Sequence, residues 1–446
     1  MAPFGYITYA NARQELANRL YDPSKVFWPD AELGAYLLEA LRTWNAIASY
    51  WRGDFTFSTT QGQTWYDLTQ QANTLRPYTL QDTWVYTQMQ YHLLEPTTGI
   101  SPWPGSSQFT AADFLGAVAR RRDEILSTTG CTVTQALVAA ANQRTQLSDS
   151  VIDIRRVAYI PAANASPAVV WPDDTWSEQA YNANYPMQPP GFPATHLRST
   201  QPPITFDTDC QPAYGGNYDV LTINAGPALS ASTPTTLYIP DDWVDLVKWG
   251  ALADLLSRES NAKDELRAAY CEKRYRMGMS SLQRAPALLA LRLGQTPMQI
   301  DSVVDADHYN TSWQSRAQGP PTAAYYAGLN LLATAPAADT GPYSLLATVV
   351  QNAPLPANDA AYLQVARDDF DAVIDYAQHL AAFKMGGSDF AGTMPLLQRF
   401  LTQGALYGLK LKEIGEYTDA LYGLGTRERD LNPVMQPDTT GQGGPV

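Results

Sequence analysis

The stretch VFWPDAELGAYLLEALRTWNAIASYW, residues 26–51, constrains the fold more than any other. Leu33, Leu37, Leu41, Trp44, Ala48 and Trp51 recur at spacings of three and four, which lines them up as one apolar stripe on a helix. Trp28-Pro29-Asp30-Ala31-Glu32 starts that helix. Proline is tolerated in a first turn, where its missing N–H is not needed, and Asp30 and Glu32 place negative charge at the positive end of the helix dipole. Trp28, Trp44 and Trp51 are therefore expected in a core, and the rest of the chain must supply what covers the seam.

Helices flank it. Thr8 to Tyr21 carries Ala12, Leu16 and Leu20 on one face and ends at Asp22-Pro23, so with 29–52 it predicts a helical hairpin. Phe55-Thr56-Phe57 and Thr64 to Leu68 alternate around Gln61-Gly62-Gln63 and predict a β-hairpin. Residues 80–95 read as a helix, and 110–146 as helical with a break at Gly130; Thr110 is the N-cap, with Asp113 completing a variant capping box. VIDIRRVAYI, 151–160, is a strand. Nine prolines between Pro161 and Pro203, interleaved with tryptophans, tyrosines and asparagines, make an ordered-loop composition too aromatic for a flexible linker. Short strands are expected at 219–223 and 236–239.

Residues 240–283 open with Pro240-Asp241-Asp242 and carry Leu246, Trp249, Ala253 and Leu256 as a buried stripe; Trp243 and Trp249 join the expected core. After a break at Ser260-Asn261, a second helix runs from about Asp264 to Met279. Shifting by 127 positions places Val373, Tyr376, Leu380 and Phe383 on the same stripe, and Gly386-Gly387-Ser388 stands near the same break. This reads as a degenerate repeat of a helical hairpin. Arg427 to Val446 lacks apolar periodicity and reads as an extended tail. The expected class is mainly α with β insertions. Its divisions are 1–160, the proline- and aromatic-rich insertion 161–239, the hairpin 240–283, a C-terminal extension 284–427 with the second hairpin, and the tail 428–446.

Composition removes several functions. Of 446 residues only 17% are charged, well under the usual quarter, which suggests a surface covered by partners or made of uncharged polar residues, the first reading being preferred. The net charge of −14 leaves no sizeable basic patch for gripping phosphates. Arg120-Arg121-Arg122 and Lys273-Arg274-Tyr275-Arg276 are mixed with acids and read as solvated helix faces. Cys131, Cys210 and Cys271 lie far apart, an odd count that argues against a disulfide framework. No signal-peptide core and no membrane-length apolar run is visible.

Chemistry-bearing motifs are sparse. His92, His196, His308 and His379 stand apart from one another and from the cysteines, so no metal spacing arises. Neither a nucleophile elbow nor a phosphate-binding glycine loop occurs. Asp173-Asp174, Asp241-Asp242 and Asp368-Asp369 are the paired carboxylates, and two of these pairs sit where helices begin. No catalytic residue, cofactor site or metal site is assigned. The aromatic loop 171–192, with Trp171, Trp176, Tyr181 and Tyr185, and the tail with Arg427, Arg429 and Leu431 are the candidate interface residues.

An opening helix followed by Phe27-Trp28-Pro29-Asp30-Ala31-Glu32-Leu33, running on to Leu41-Arg42 and Trp44, resembles head–tail connector (adaptor) proteins of tailed bacteriophages. Ile239-Pro240-Asp241-Asp242-Trp243, then Ala251 to Ser257 and Ala268-Ala269-Tyr270 with Arg274-Tyr275, is similar to the hairpin that closes their helical bundle. These segments cover about a quarter of the chain. The resemblance implies an enlarged, non-enzymatic adaptor without cofactors. It implies a ring, usually twelvefold, beneath the portal protein in the virion neck, assembled in host cytoplasm. Such a ring forms part of the DNA channel, contacts tail or fibre proteins, and passes DNA without sequence-specific binding and without touching membrane. The chain departs from simple adaptors by its length: 161–236 and the region after Met279 have no counterpart in the minimal form. The alternative reading is a carbohydrate-binding helical protein of the bacterial envelope, and an enzyme built on two carboxylates is a third.

Overall fold

A computed structural model describes residues 5–70, 78–95, 108–162, 167–173, 188–199, 203–286, 288–311 and 313–421, with side chains of the last helix described as far as Lys412. The helices are α1 (Tyr9–Arg19), α2 (Asp30–Ala48), α3 (Asp82–Leu93), α4 (Ala111–Thr129), α5 (Asp245–Ser257), α6 (Glu265–Gln283), α7 (Val303–Tyr309), α8 (Arg367–Ala382), α9 (Gly387–Ala391) and α10 (Met394–Leu421). The fold is α/β: 41% helix and 24% strand, with four sheets among the described residues. The expected mainly-α class is thereby corrected. The misreading arose because, apart from Val151–Ile160 and Asn217–Asn224, the strands are at most seven residues long and scattered along the chain, so most carry no long period-two signal.

Among the described residues, all helices except α7 contribute to one hydrophobic core. The seam of α2 lies near its centre, with Leu33, Tyr36, Leu37, Leu41, Trp44 and Ala48 at most 1% exposed. It is covered by α8 and α10 on one side and meets α1, α3 and α6 on others. The second hairpin at 367–421 therefore shares a core with residues 9–48 and 241–283. All four residues matched by the 127-residue shift, Val373, Tyr376, Leu380 and Phe383, are fully buried in the same core as their counterparts, and Trp249 meets Phe383 edge-on at 5.5 Å.

Two four-stranded sheets form a second body. In one, Arg52–Ser58 pairs with Ser344–Val350, then Ala290–Leu293 and Thr296–Pro297; in the other, Gln299–Ser302, Ala323–Ala327, Leu331–Ala335 and Trp65–Asp67 lie side by side. Their facing residues, among them Phe55, Phe57, Tyr66, Leu291 and Leu332, form a separate core. The expected hairpin at 55–68 is corrected: its turn exists, but its two strands pair with Ser344–Val350 and Leu331–Ala335 instead of with each other.

The third body is a seven-stranded half-barrel in the order Thr134–Ala139, Asn217–Asn224, Val151–Ile160, Ala168–Pro172, Thr195–Arg198, Thr205–Thr208, Arg144–Gln146. Its first and last strands are consecutive in sequence. Residues 140–143 bridge the two edges, with Ala140 N donating to Gly216 O and Thr208 N to Gln143 O, both at 3.0 Å. The helical reading of 110–146 holds only to Thr129; Gly130 closes α4 in the left-handed region (φ +59°), and the β-branched alternation beyond it forms strands. Residues 236–239 form only an isolated bridge between Thr236 and Gln81.

Buried polar ties join the half-barrel to the sandwich. The Trp65 indole donates to Asp219 Oδ2 at 3.0 Å, and Arg156 forks onto Asp307 at 2.6 and 3.0 Å, with Trp313 Nε1 donating to the same carboxylate at 2.9 Å.

Candidate functional site

Helix α2 is buried almost all round, yet it carries Glu32, Glu39 and Arg42, each at most 2% exposed. A buried charge must be answered, and each is answered from a different part of the chain. Lys384 Nζ donates to Glu32 Oε2 at 3.0 Å, while Tyr36 Oη holds the other oxygen at 2.7 Å. Lys248 of α5 pairs with Glu39, both fully buried. Arg42 stacks over the Trp84 ring at 4.4 Å and lies 3.6 Å from Asp245, whose other oxygen accepts from Trp84 Nε1 at 2.8 Å.

Lys248 also donates to His92 Nε2 at 3.3 Å, which requires a neutral imidazole. Burial pushes His92 well below its ordinary value, and the Lys248 charge adds to that. Burial likewise pushes the Glu39 carboxyl above the usual carboxylate range, with Lys248 pulling it back. Lys248, Glu39 and His92 are 0% exposed, so no substrate reaches them. Their chemistry is cohesive: three ion pairs fix the register of α2 against helices from distant segments.

Beside this seam a cavity of about 160 Å³ opens between α2, α5, α6 and α10. Its walls include Ile47, Trp243, Trp249, Met277 and Leu401, and its polar edge includes Asp242, Asp245 and Arg274. Asp242 accepts from Asn45 Nδ2 at 2.6 Å and from Ala353 N at 3.0 Å. The helices approach closely here: a Cβ on Gly278 would stand 1.8 Å from Leu246 Cδ2.

Of the residues singled out from sequence, Trp28, Trp44, Trp243 and Trp249 are buried in the helical core, and Trp28 Nε1 donates to Ala381 O at 3.1 Å. Trp51 is half-buried past the end of α2, where its backbone bonds Asn45 and Gln351. Trp171 sits half-buried on a half-barrel strand with its ring 4.9 Å from that of exposed His308. Trp176, Tyr181, Tyr185, Arg427, Arg429 and Leu431 lie outside the described residues, as does the 428–446 tail. Asp241 caps the chain at Thr79 and Leu80, accepting at 2.8 and 2.9 Å. The basic runs are split between core and surface and paired with acids: Arg121 pairs with Asp254, Glu272 and Glu124, and exposed Arg276 with Glu272, while Arg122 is buried and Arg274 lies against the Tyr376 and Trp249 rings. All three cysteines are buried thiols, and no cluster suited to a metal ion occurs among the described residues.

From sequence, Glu32 reads only as a helix-start charge and Arg274 as part of a solvated face, which its stacking on the Trp249 and Tyr376 rings corrects, and Glu39 and Lys248 are not singled out. The signal was present in Glu39 and Arg42, which interrupt a helix apolar on every side, where a solvated face would be expected to gather them. No family model matches the chain, and no curated protein matches it.

Proposed function

We propose that the chain is a structural, non-enzymatic subunit of a tailed bacteriophage: an enlarged head–tail connector that forms a ring beneath the portal protein in the virion neck. In this reading the ring, usually twelvefold in the related adaptors and so expected near twelve here, lines part of the DNA channel and offers a platform to tail or fibre proteins. The carrying observation is the assembly of the two segments with adaptor-like sequence, 9–48 and 241–283, into one helical body despite the long chain between them. The sealing of its most concentrated titratable cluster supports a cohesive role over a catalytic one. Pairing of the arginine runs with acids, in a chain of net charge −14, suits a wall past which DNA slides without sticking.

Electron microscopy of the assembled particle, or of this protein mixed with its candidate portal, tests the proposal. A closed ring of about twelve copies on the head axis is the expected result. A monomer found nowhere in the particle overturns it. One observation favours the envelope carbohydrate-binding reading: Phe192 and Tyr214, 53% and 55% exposed with ring centroids 5.0 Å apart, form an open aromatic step on the half-barrel. Soluble-sugar binding lost in Phe192→Ala would bring that reading forward.

A further inference from the structure

The cavity between α2, α5, α6 and α10 has a size and an edge that select a ligand class. Its volume of about 160 Å³ matches the size at which an apolar cavity in a protein core takes up one benzene ring. Two indoles, Trp243 and Trp249, and the aliphatic side chains of Ile47, Leu246 and Leu401 provide the wall for such a ring.

Arg274 supplies the polar end. Its guanidinium lies over the Tyr376 ring at 5.1 Å and the Trp249 ring at 5.8 Å, and Nη2 donates to Tyr376 Oη. The remaining nitrogens have no hydrogen-bond partner among the described residues, and no carboxylate stands within ion-pair distance. This contrasts with Arg121 and Arg276 on neighbouring surface, each of which holds an acid. The two acids on the same edge are engaged elsewhere: Asp242 with Asn45 and the Ala353 amide, Asp245 with Trp84 and Arg42. Arg274 thus lines the cavity as a cation that, among the described residues, has no carboxylate within ion-pair distance, Glu39 acting on it only from farther away. A guanidinium left this way is matched best by a planar, bidentate oxyanion.

We propose that this cavity is a binding site for a single apolar ring or branched aliphatic group bearing a carboxylate, the ring resting between the two indoles and the carboxylate meeting Arg274. The same chemistry comes from a free small acid or from an acidic side chain with its apolar stem on a second copy of the chain.

The test uses the full chain with 4-fluorobenzoate and its uncharged isostere 4-fluorobenzamide, followed by fluorine NMR. Expected is saturable exchange broadening for the benzoate, at least tenfold weaker binding of the amide, and loss of the difference in Arg274→Gln. Equal binding of acid and amide, or no binding of either, overturns the proposal. The acid–amide comparison on the native chain stands even where Arg274→Gln fails to fold, and Arg274→Lys, which keeps the charge, is expected to retain part of the preference. Sedimentation in the same samples separates the sources. An unchanged mass assigns the site to a free acid, and an oligomer that benzoate dissociates assigns it to a second copy.

Discussion

Asp307 is 4% exposed and answers both Arg156 and the Trp313 indole. Removing one partner of a buried pair leaves the other charge uncompensated, which costs far more than the pair contributes. Asp307→Ala is therefore expected to destabilise by about 3–5 kcal/mol, and Asp307→Asn by clearly less, since an amide oxygen still accepts from both neighbours. Urea unfolding measures the difference; equal losses for the two variants would show that the lost charge, and not the hydrogen bonds and packing an asparagine keeps, governs the site. His379 gives a pH-dependent counterpart. It is fully buried between Tyr270 Oη (2.6 Å) and Thr393 Oγ1 (2.8 Å), and burial, helped by the Arg274 charge, lowers it to about 3. Its folded value lies below its ordinary 6.5, so the stability it carries is complete above pH 6.5 and is lost as pH falls toward 3. At pH 4 the loss is on the order of 3 kcal/mol. His379→Gln, which keeps hydrogen bonds to both neighbours but does not titrate, should flatten the fall between pH 7 and pH 4 by that amount in urea titrations. Parallel profiles for the two proteins would refute it. Little of this was legible from the residues alone: His379 stands apart from the other histidines and the cysteines, and nothing in the sequence marks Asp307, because the partners that define both are set by the fold.

At the scale of elements, helix starts were legible and strand partners were not. Thr110 caps α4 through a reciprocal box, with Asp113 N donating to its hydroxyl at 3.2 Å and Thr110 N donating to the Asp113 carboxylate at 2.9 Å. Such signals act within four residues, so sequence displays them directly. The strands Arg52–Ser58 and Trp65–Asp67 instead find partners nearly three hundred residues away, and alternation says nothing of which edge a strand will join. The docking of α10 on α2 lies between these cases. Gly404 and Gly408 face α2, where an added Cβ would stand 3.1 Å from Ile47 Cγ2 and 3.3 Å from Ala48 O. Four-residue spacing of small residues permits this close approach. Gly408→Leu is expected to lift α10 and open cleavage sites within 394–412 to limited proteolysis, with a stability loss of about 1–3 kcal/mol. Unchanged cleavage would show that α10 reseats without that contact.

On the scale of the molecule, sequence suggested a C-terminal extension added to a complete adaptor bundle, whereas the helices of that extension complete the core itself. Phe370, Val373, Ile374, Tyr376, Leu380 and Phe383 are at most 3% exposed, and they cover α2 and α5 along the very seam that opened the reading. At roughly 1.5–3 kcal/mol per buried side chain, these six contribute about 10 kcal/mol or more, comparable to the whole net stability of an ordinary domain. Lys384 adds the only answer to Glu32 among the described ion pairs, and Asp375 answers Arg19 at 2.9 Å. A chain ending at residue 353 should thus not fold as an intact helical body with a missing appendage. Its expected state has helix content but no fixed packing, with near-ultraviolet tryptophan signals lost and hydrophobic dye bound. Supplying residues 354–421 as a separate chain should restore the signals, because the two pieces bury the same seam whether or not a peptide bond joins them. A cooperative unfolding transition of the helices themselves in the 1–353 chain alone, followed by far-ultraviolet helix signal, would disprove this account and return α8 and α10 to the status of an extension.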